Sequence, residues 1–254
     1  MTPPATVQTF RADPALAPWG DAARKAATLA LADPGLAHWW RADTTWFVGV
    51  DALPNDARGG VDGVLPQGQA VTAARRIADA PWHPLQVSAI RAGYPGSGAS
   101  EDPAQHRFRL TRDGAHLDGL LPLGPDRRRF LKEPHAFILG IALTDADPGA
   151  SPLVVWDGSP AIIRDTFTAR FAGVPPDAWP DLDVTETYKT ARRQVFDTCP
   201  RREVPLRRGE AVLLHRMAIH GIAPWAKGAT ADPMGRVIAY LRPRAAHDWW
   251  LTAP

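Results

Sequence analysis

In the stretch "RDGAHLDGLLP" (residues 112–122), His116 and Asp118 stand with one residue between them. On an extended strand, side chains at i and i+2 leave the same face. One imidazole and one carboxylate can therefore converge on a single ion without bending the backbone. The triplet alone carries little weight, because chance supplies an H-x-D about as often as not in a chain with 8 His. Its meaning depends on a third ligand. Downstream, "GEAVLLHRMAIHGIAPW" (209–225) offers His215 and His220. His220 is favoured because Gly221 follows it and would let the backbone pass close to a metal centre. His215 lies in the apolar part of the stretch, where a core histidine with a local hydrogen bond is expected. Two histidines and one carboxylate on one face of a metal leave three positions open, the arrangement of non-heme Fe(II) oxygenases. Sixteen residues after His220, Arg236 opens "RVIAYLRP". A fixed guanidinium there suits a carboxylate gripped by two parallel hydrogen bonds. Arg242, at the other end of the same stretch, is the alternative.

The elements that must position these residues are mostly short strands. The first eighty residues are mixed. Residues 21–33 are rich in helix formers, with Asp21 a plausible N-cap, and 68–80 reads as a second helix. Residues 44–53 are β-branched and aromatic, hence strand-like. From about residue 85 strands alternate with turns. "LQVSAIRAGYPG" is a strand running into a turn at Tyr94-Pro95-Gly96. In "HRFRLTRDGAHLDG", Phe108 and Leu110 alternate with arginines, and Asp113-Gly114 is a favoured hairpin dipeptide. "HAFILGIALTD" (135–145) is apolar almost throughout, which predicts a strand buried on both faces. "SPLVVWDGSP" is a strand ending in a tight turn. Two helices follow within 160–199, then the strands "REVPL", "GEAVLLHRMAIHG" and "GRVIAYLRP". "ASEDPAQ" and "AKGATADPMG" read as exposed loops. The expected architecture is a single domain over 1–254. It is mainly β, with a helical N-terminal region (about 1–84) and a jelly-roll core of about eight strands (about 85–243) interrupted by a helical insertion (about 160–199). No Gly-rich phosphate loop occurs.

Composition narrows the function classes. The net charge is only +2, and the arginine pairs and triplets (127–129, 192–193, 207–208) are spread along the chain. That reads as solvated surface or a site for an anionic small molecule, not as a nucleic-acid patch. A single cysteine, Cys199, excludes an internal disulfide, and its neighbourhood does not suggest a nucleophile. No N-terminal apolar segment resembles a signal peptide and no run is long enough to span a bilayer, so a cytoplasmic protein is expected. Softer candidates for a cosubstrate pocket are Gln86, Arg91 and Tyr94. Of the 10 Trp, Trp156, Trp225, Trp249 and Trp250 are expected mainly in packing. His135 and His247 are expected to be structural or at the surface.

The order "AHLDG", "LTDADPGASPLVVWDGSP", "GEAVLLHRMAIHGIAP" and "RVIAYLRP" resembles the phytanoyl-CoA dioxygenase family, over roughly 85–243. The resemblance implies a double-stranded β-helix of cupin-like type that uses Fe(II), 2-oxoglutarate and O2. His116, Asp118 and His220 would be the iron ligands, and Arg236 the residue holding the far carboxylate of 2-oxoglutarate. The implied reaction is hydroxylation of a small-molecule substrate with release of succinate and CO2. Halogenating relatives lack the carboxylate ligand that Asp118 supplies here. The chain departs from the family pattern at Ile222, Trp225 and Ser159-Pro160, and in a long spacing from His220 to Arg236. Two other readings share the triad. One is a cupin-like metal-dependent isomerase or hydrolase without 2-oxoglutarate, and the other is a non-catalytic binding module on the same scaffold.

Overall fold

The apolar run at 135–145 becomes a strand buried at all six of its positions, and the other elements are arranged around it. The computed structural model describes residues 5–98 and 102–253. Its N-terminal part holds β1 (Val7–Phe10), α1 (Ala17–Ala32), β2 (Trp40–Arg41), β3 (Trp46–Phe47), α2 (Gln69–Ile77) and β4 (Gln86–Ile90). The middle holds α3 (Pro103–Arg112), β5 (Leu120–Leu123), β6 (Arg128–Leu131), β7 (Phe137–Ala142) and β8 (Leu153–Trp156). Then come α4 (Ser159–Phe171), α5 (Thr185–Thr198), β9 (Arg201–Val204), β10 (Ala211–His215), β11 (His220–Ile222), β12 (Arg236–Leu241) and α6 (His247–Thr252).

Seven strands form one open sheet in the order β1-β10-β7-β12-β4-β3-β2, and three form a smaller sheet, β11-β8-β9. Every pairing is antiparallel. β5 and β6 make a separate hairpin. From β7 onward the chain steps between the sheets: β7 in the large one, β8 and β9 in the small one, then β10, β11 and β12 in alternation.

The period-2 alternation of strands assigns the layers. Val237, Ala239 and Leu241 of β12 pack with Trp19, Ala23 and Ala27 of α1 and Val71 and Ala74 of α2. Ile238, between them, joins Ile138, Val212 and Leu214 against Leu153, Val155 and Val204 of the small sheet. The far face of that sheet, Val154 and Trp156, packs on Ile163, Phe167, Val195 and Trp250 of the later helices. The order is thus helices, large sheet, small sheet, helices. Each fully buried aliphatic or aromatic side chain contributes about 1.5–3 kcal/mol to holding these layers together. Among the described residues no helix is long and apolar enough to cross a membrane.

Several expectations are corrected. Helix α1 starts at Ala17, not after Asp21. Pro18 occupies its first turn, and Trp19, Ala23, Ala27 and Ala30 form its buried stripe. The N-terminal region is not only helical, since β1, β2 and β3 join the large sheet. The strand expected over 44–53 shrinks to Trp46–Phe47, because the chain turns at Gly49, where φ is +44° and an added Cβ would lie 2.4 Å from the Val87 carbonyl. "GEAVLLHRMAIHG" divides into β10 and β11, one in each sheet.

The largest correction concerns the residues before His116. No hairpin exists at Asp113-Gly114. Residues 103–112 are the helix α3, started by Pro103 and by the Asp102 carboxylate, which accepts from the Ala104 N–H. Asp113 (φ 56°) and Gly114 (φ 60°) end it in left-handed conformation. The expected loop "ASEDPAQ" covers this start, and its residues 99–101 lie outside the described residues.

Candidate metal centre

His116 and Asp118 do not sit on a named strand. After the left-handed turn, His116 forms an isolated antiparallel bridge with His220, and a new turn begins at Asp118. His116 N–H donates to the His220 carbonyl at 2.8 Å, and His220 N–H returns to the His116 carbonyl at 3.1 Å. Leu117, the intervening residue, is buried among the helices beyond the small sheet. Its N–H donates to the Tyr188 hydroxyl at 3.1 Å. His116 and Asp118 thus converge as the i, i+2 spacing suggests, but across one bridged residue and a turn rather than along a strand.

Three contacts dock this segment. The buried Asp113 carboxylate accepts two hydrogen bonds from Arg201, at 2.8 and 2.9 Å, which ties the end of α3 to β9. The Asp113 carbonyl accepts from Ile222 N–H at 2.8 Å. Gly221 passes beside it so closely that a Cβ would fall 2.3 Å from that carbonyl oxygen. The glycine after His220 serves this backbone crossing rather than an approach to a metal.

His116, Asp118 and His220 form the one group of three metal-ligating side chains found among the described residues, with ligand atoms all within 4.8 Å of one another. His116 Nε2 lies 3.2 Å from Asp118 Oδ1, and His220 Nε2 lies 3.8 Å from the same oxygen. Their other ring nitrogens are committed. His116 Nδ1 donates to the Gly114 carbonyl at 3.1 Å, and His220 Nδ1 to the Ala218 carbonyl at 3.0 Å. A carbonyl can only accept, so Nδ1 carries a proton in each ring, and each ring turns its Nε2 toward Asp118. Two ring nitrogens and one carboxylate oxygen then face one small space, a donor set suited to holding a cation. Ligand atoms bound about 2.1 Å from an ion at right angles would stand about 3 Å apart, close to the spacing seen here.

The electrostatics favour the ligating protonation states. Burial pushes the Asp118 carboxyl up, but His116, His220 and Arg242 outweigh it and hold Asp118 well below the usual carboxylate range. Burial lowers His220, and neighbouring His116 lowers it further, to about 4, against the opposing pull of Asp118. At neutral pH the site thus presents an ionised carboxylate and a neutral buried imidazole.

The three ligands open into a cavity of about 200 Å³ between the sheets. Its walls are largely apolar, with Trp46, Ile138 and Ile222 among them, and its polar groups include Ser88, Tyr240 and Arg242. Arg242 Nη1 donates to Asp118 Oδ2 at 3.2 Å. Arg236 opens β12 opposite Ile90 and is buried. By strand alternation it shares a face with Ile238 and Tyr240, and its Nη1 and Nη2 are buried with no hydrogen-bond partner.

The other candidates separate. Gln86 lines the cavity. Arg91 does not, since its guanidinium stacks over Trp40 at 4.1 Å. Tyr94 is buried edge-on to Trp46, and burial pushes its hydroxyl up to about 12. His215 lies outside the triad; its Nδ1 accepts from Met217 N–H, and burial with Arg216 and Arg164 nearby drives it down to about 3. His135 is buried, and His247 Nε2 donates to the Leu131 carbonyl. Trp156 and Trp250 are core residues, while Trp225 and Trp249 pack at its margins. Burial raises the thiol of Cys199, as befits a residue without a nucleophile's role. Sequence reasoning missed Trp46, Ser88 and Tyr240. Counting in twos from Gln86 and from Arg236 would have placed Ser88 and Tyr240 on the cavity face.

Comparison with profiles of known families gives no match, and comparison with curated proteins gives none. Among solved structures, AviO1 from Streptomyces viridochromogenes Tue57 is 20% identical, over 96% of this chain and 91% of its own, with a TM-score of 0.45. The non-heme α-ketoglutarate-dependent epimerase SnoN from nogalamycin biosynthesis is 14% identical over 63% of this chain and 44% of its own, with a TM-score of 0.30. Asparagine oxygenase (AsnO) is 15% identical over 92% of this chain and 91% of its own, also at 0.30. At these scores the likenesses assign no chemistry, and the site stands on its own geometry.

Proposed function

We propose that the chain is an Fe(II)- and 2-oxoglutarate-dependent dioxygenase that hydroxylates a small molecule. The observation that carries this reading is the convergence of two Nε2 atoms and one carboxylate oxygen on a single point, with both Nδ1 protons held by backbone carbonyls. The donor set is that of the two-histidine, one-carboxylate triad. The order β10-β7-β12-β4 in one sheet and β11-β8-β9 in the other, with the His116 segment bridged to β11, supports a double-stranded β-helix.

His116, Asp118 and His220 would hold the iron. When bound, iron with 2-oxoglutarate and O2 supplies the oxidation of a C–H bond, releasing succinate and CO2. The chain's own part is to bind, orient and exclude water. The carbonyls of Gly114 and Ala218 fix ring orientation and tautomer. Arg236 shares the strand face of Tyr240, which lines the cavity, and although it is not itself a lining residue it offers an anionic cosubstrate a buried guanidinium with two nitrogens lacking partners. An uncompensated buried cation is costly, and a carboxylate received in two-point fashion offsets that cost. This favours 2-oxoglutarate dependence over a metal-dependent isomerase or hydrolase of cupin type. Asp118 fills the third ligand place, which favours hydroxylation.

Anaerobic titration with Fe(II) and then 2-oxoglutarate tests the reading. A weak visible charge-transfer band is expected once both are present, and Arg236→Ala should weaken 2-oxoglutarate binding while leaving iron bound. Iron binding without the band would support the isomerase or hydrolase reading, and no iron binding would leave a binding module.

A further inference from the structure

The two oxygens of Asp118 have different surroundings. Oδ1 faces both ligand imidazoles, at 3.2 and 3.8 Å. Oδ2 accepts from Arg242 Nη1 at 3.2 Å. A carboxylate can bind a metal through one oxygen or through both, and the second mode consumes a coordination position. We propose that Arg242 is a positioning residue for the metal ligand. By holding Oδ2 it restricts Asp118 to one-oxygen coordination and keeps the open face of the metal free. This inference rests on the metal-binding half of the function proposed above and not on the identity of the cosubstrate.

Arg242 is well placed to act this way. It leaves the end of β12, and its main chain is held on the His83 side by a hydrogen bond of 3.2 Å from His83 Nε2 to the Arg242 carbonyl. The next residue is pinned by Ala136 N–H to the Pro243 carbonyl at 2.8 Å. An isolated bridge between His135 and Arg244 closes the same rim. The Arg242 side chain is mostly buried and lines the cavity. A hydrogen bond from a charged donor to a largely desolvated carboxylate is of the stronger kind, so freeing Oδ2 for a metal would sacrifice it. The arginines at the two ends of β12 then divide the work: Arg242 gives its Nη1 to Asp118, although its Nε has no partner, whereas both the Nη1 and Nη2 atoms of Arg236 are left for an anion.

The test uses the full chain loaded with Co(II), whose visible bands report coordination number. Arg242→Met keeps the apolar stem and removes the donor, and Arg242→Lys returns a cationic donor. Arg242→Met is expected to lower Co(II) affinity by about 10–100-fold, the usual effect of losing an outer partner of a ligand, and to change band intensity. Arg242→Lys should recover much of both. Arg242→Gln, read the same way, replaces Arg242→Met should the latter not fold. Wild-type affinity and an unchanged spectrum in the Met or Gln variant overturn the proposal. So does a variant that binds Co(II) normally and loses only 2-oxoglutarate affinity, because Arg242 would then be the cosubstrate anchor. Wild-type protein that binds Co(II) but does not respond to 2-oxoglutarate overturns the dioxygenase reading and leaves the role of Arg242 to be decided by its variants. Wild-type protein that binds no metal overturns both.

Discussion

His220 stands on β11 inside the small sheet, with only 10% of its side chain exposed, whereas His116 stands on a segment outside any strand, with 51% exposed. Both aim Nε2 at the same carboxylate and both give their Nδ1 proton to the carbonyl two residues back. One half of the site is therefore part of the rigid sandwich. The other is delivered to it by a helix end and held by a few tethers: the double backbone bridge to His220, the Asp113–Arg201 pair, the Tyr188 hydroxyl and the close crossing at Gly221. Equivalent ligand atoms can thus depend on quite different supports, one on core packing and the other on polar contacts that can be cut singly.

The largest effect should come from the ligands themselves. Asp118→Ala and His116→Ala should each lower iron affinity by more than the roughly 100-fold that an outer partner can cost, with the fold retained by circular dichroism. Retention of iron in both variants would break the ligand assignment.

Acid comes next. His220 is held down at about 4 and His215 at about 3, chiefly by burial, while in the unfolded chain both titrate near 6.5. The unfolded chain binds more protons between these values, so the stability of the metal-free protein is full above about pH 6.5 and is lost as pH falls toward 4. Each proton so taken up contributes a slope of up to about 1.4 kcal/mol per pH unit. Urea unfolding at pH 7.5 and 5 measures it, and equal midpoints would contradict the burial of the rigid half.

Cutting the tethers should give smaller, graded effects. Gly221→Ala pushes a methyl group against the Asp113 carbonyl and should cost about 1–3 kcal/mol, together with metal affinity, since the two halves must move apart. Asp113→Asn removes the charge that Arg201 grips and should cost about 1.5 kcal/mol or somewhat more, read by urea unfolding. Tyr188→Phe removes one hydrogen bond to Leu117 N–H and should cost about 1 kcal/mol. If any of the three lowers stability and leaves metal affinity unchanged, that tether serves the fold and not the docking of His116.

The same contrast explains what could be read from the sequence. The rigid half was legible: the run at 135–145, the strand of "SPLVVW" and the helices at 160–199 declare themselves by unbroken or periodic apolar residues, and His220 was identified as a ligand candidate from its context. The docked half reads differently in the structure, although its His116 and Asp118 side chains converge with His220 as expected. Phe108 and Leu110 alternate with arginines, yet the segment is helical because Asp102 and Pro103 start it, and Phe108 packs toward Phe196 on α5. Asp113-Gly114 signals positive φ, and that conformation serves a helix end as well as a hairpin. The tethers were not legible, because Asp113, Arg201 and Tyr188 are far apart in sequence and none carries a local pattern. The same holds for the engagement of Arg242 with Asp118, which only the meeting of β12 with the His116 segment creates.

The bridge between His116 and His220 also sets when the site can come into being. Its two residues lie about a hundred positions apart, so closing it carries the entropy of a long loop, a cost that earlier pairing of the strands between them reduces. As the chain emerges from synthesis, the H-x-D pair precedes its third ligand by most of the small sheet and two helices. On the proposed ligand assignment the metal site is complete only once β11 has found its place, so metal binding would report that the two sheets have assembled.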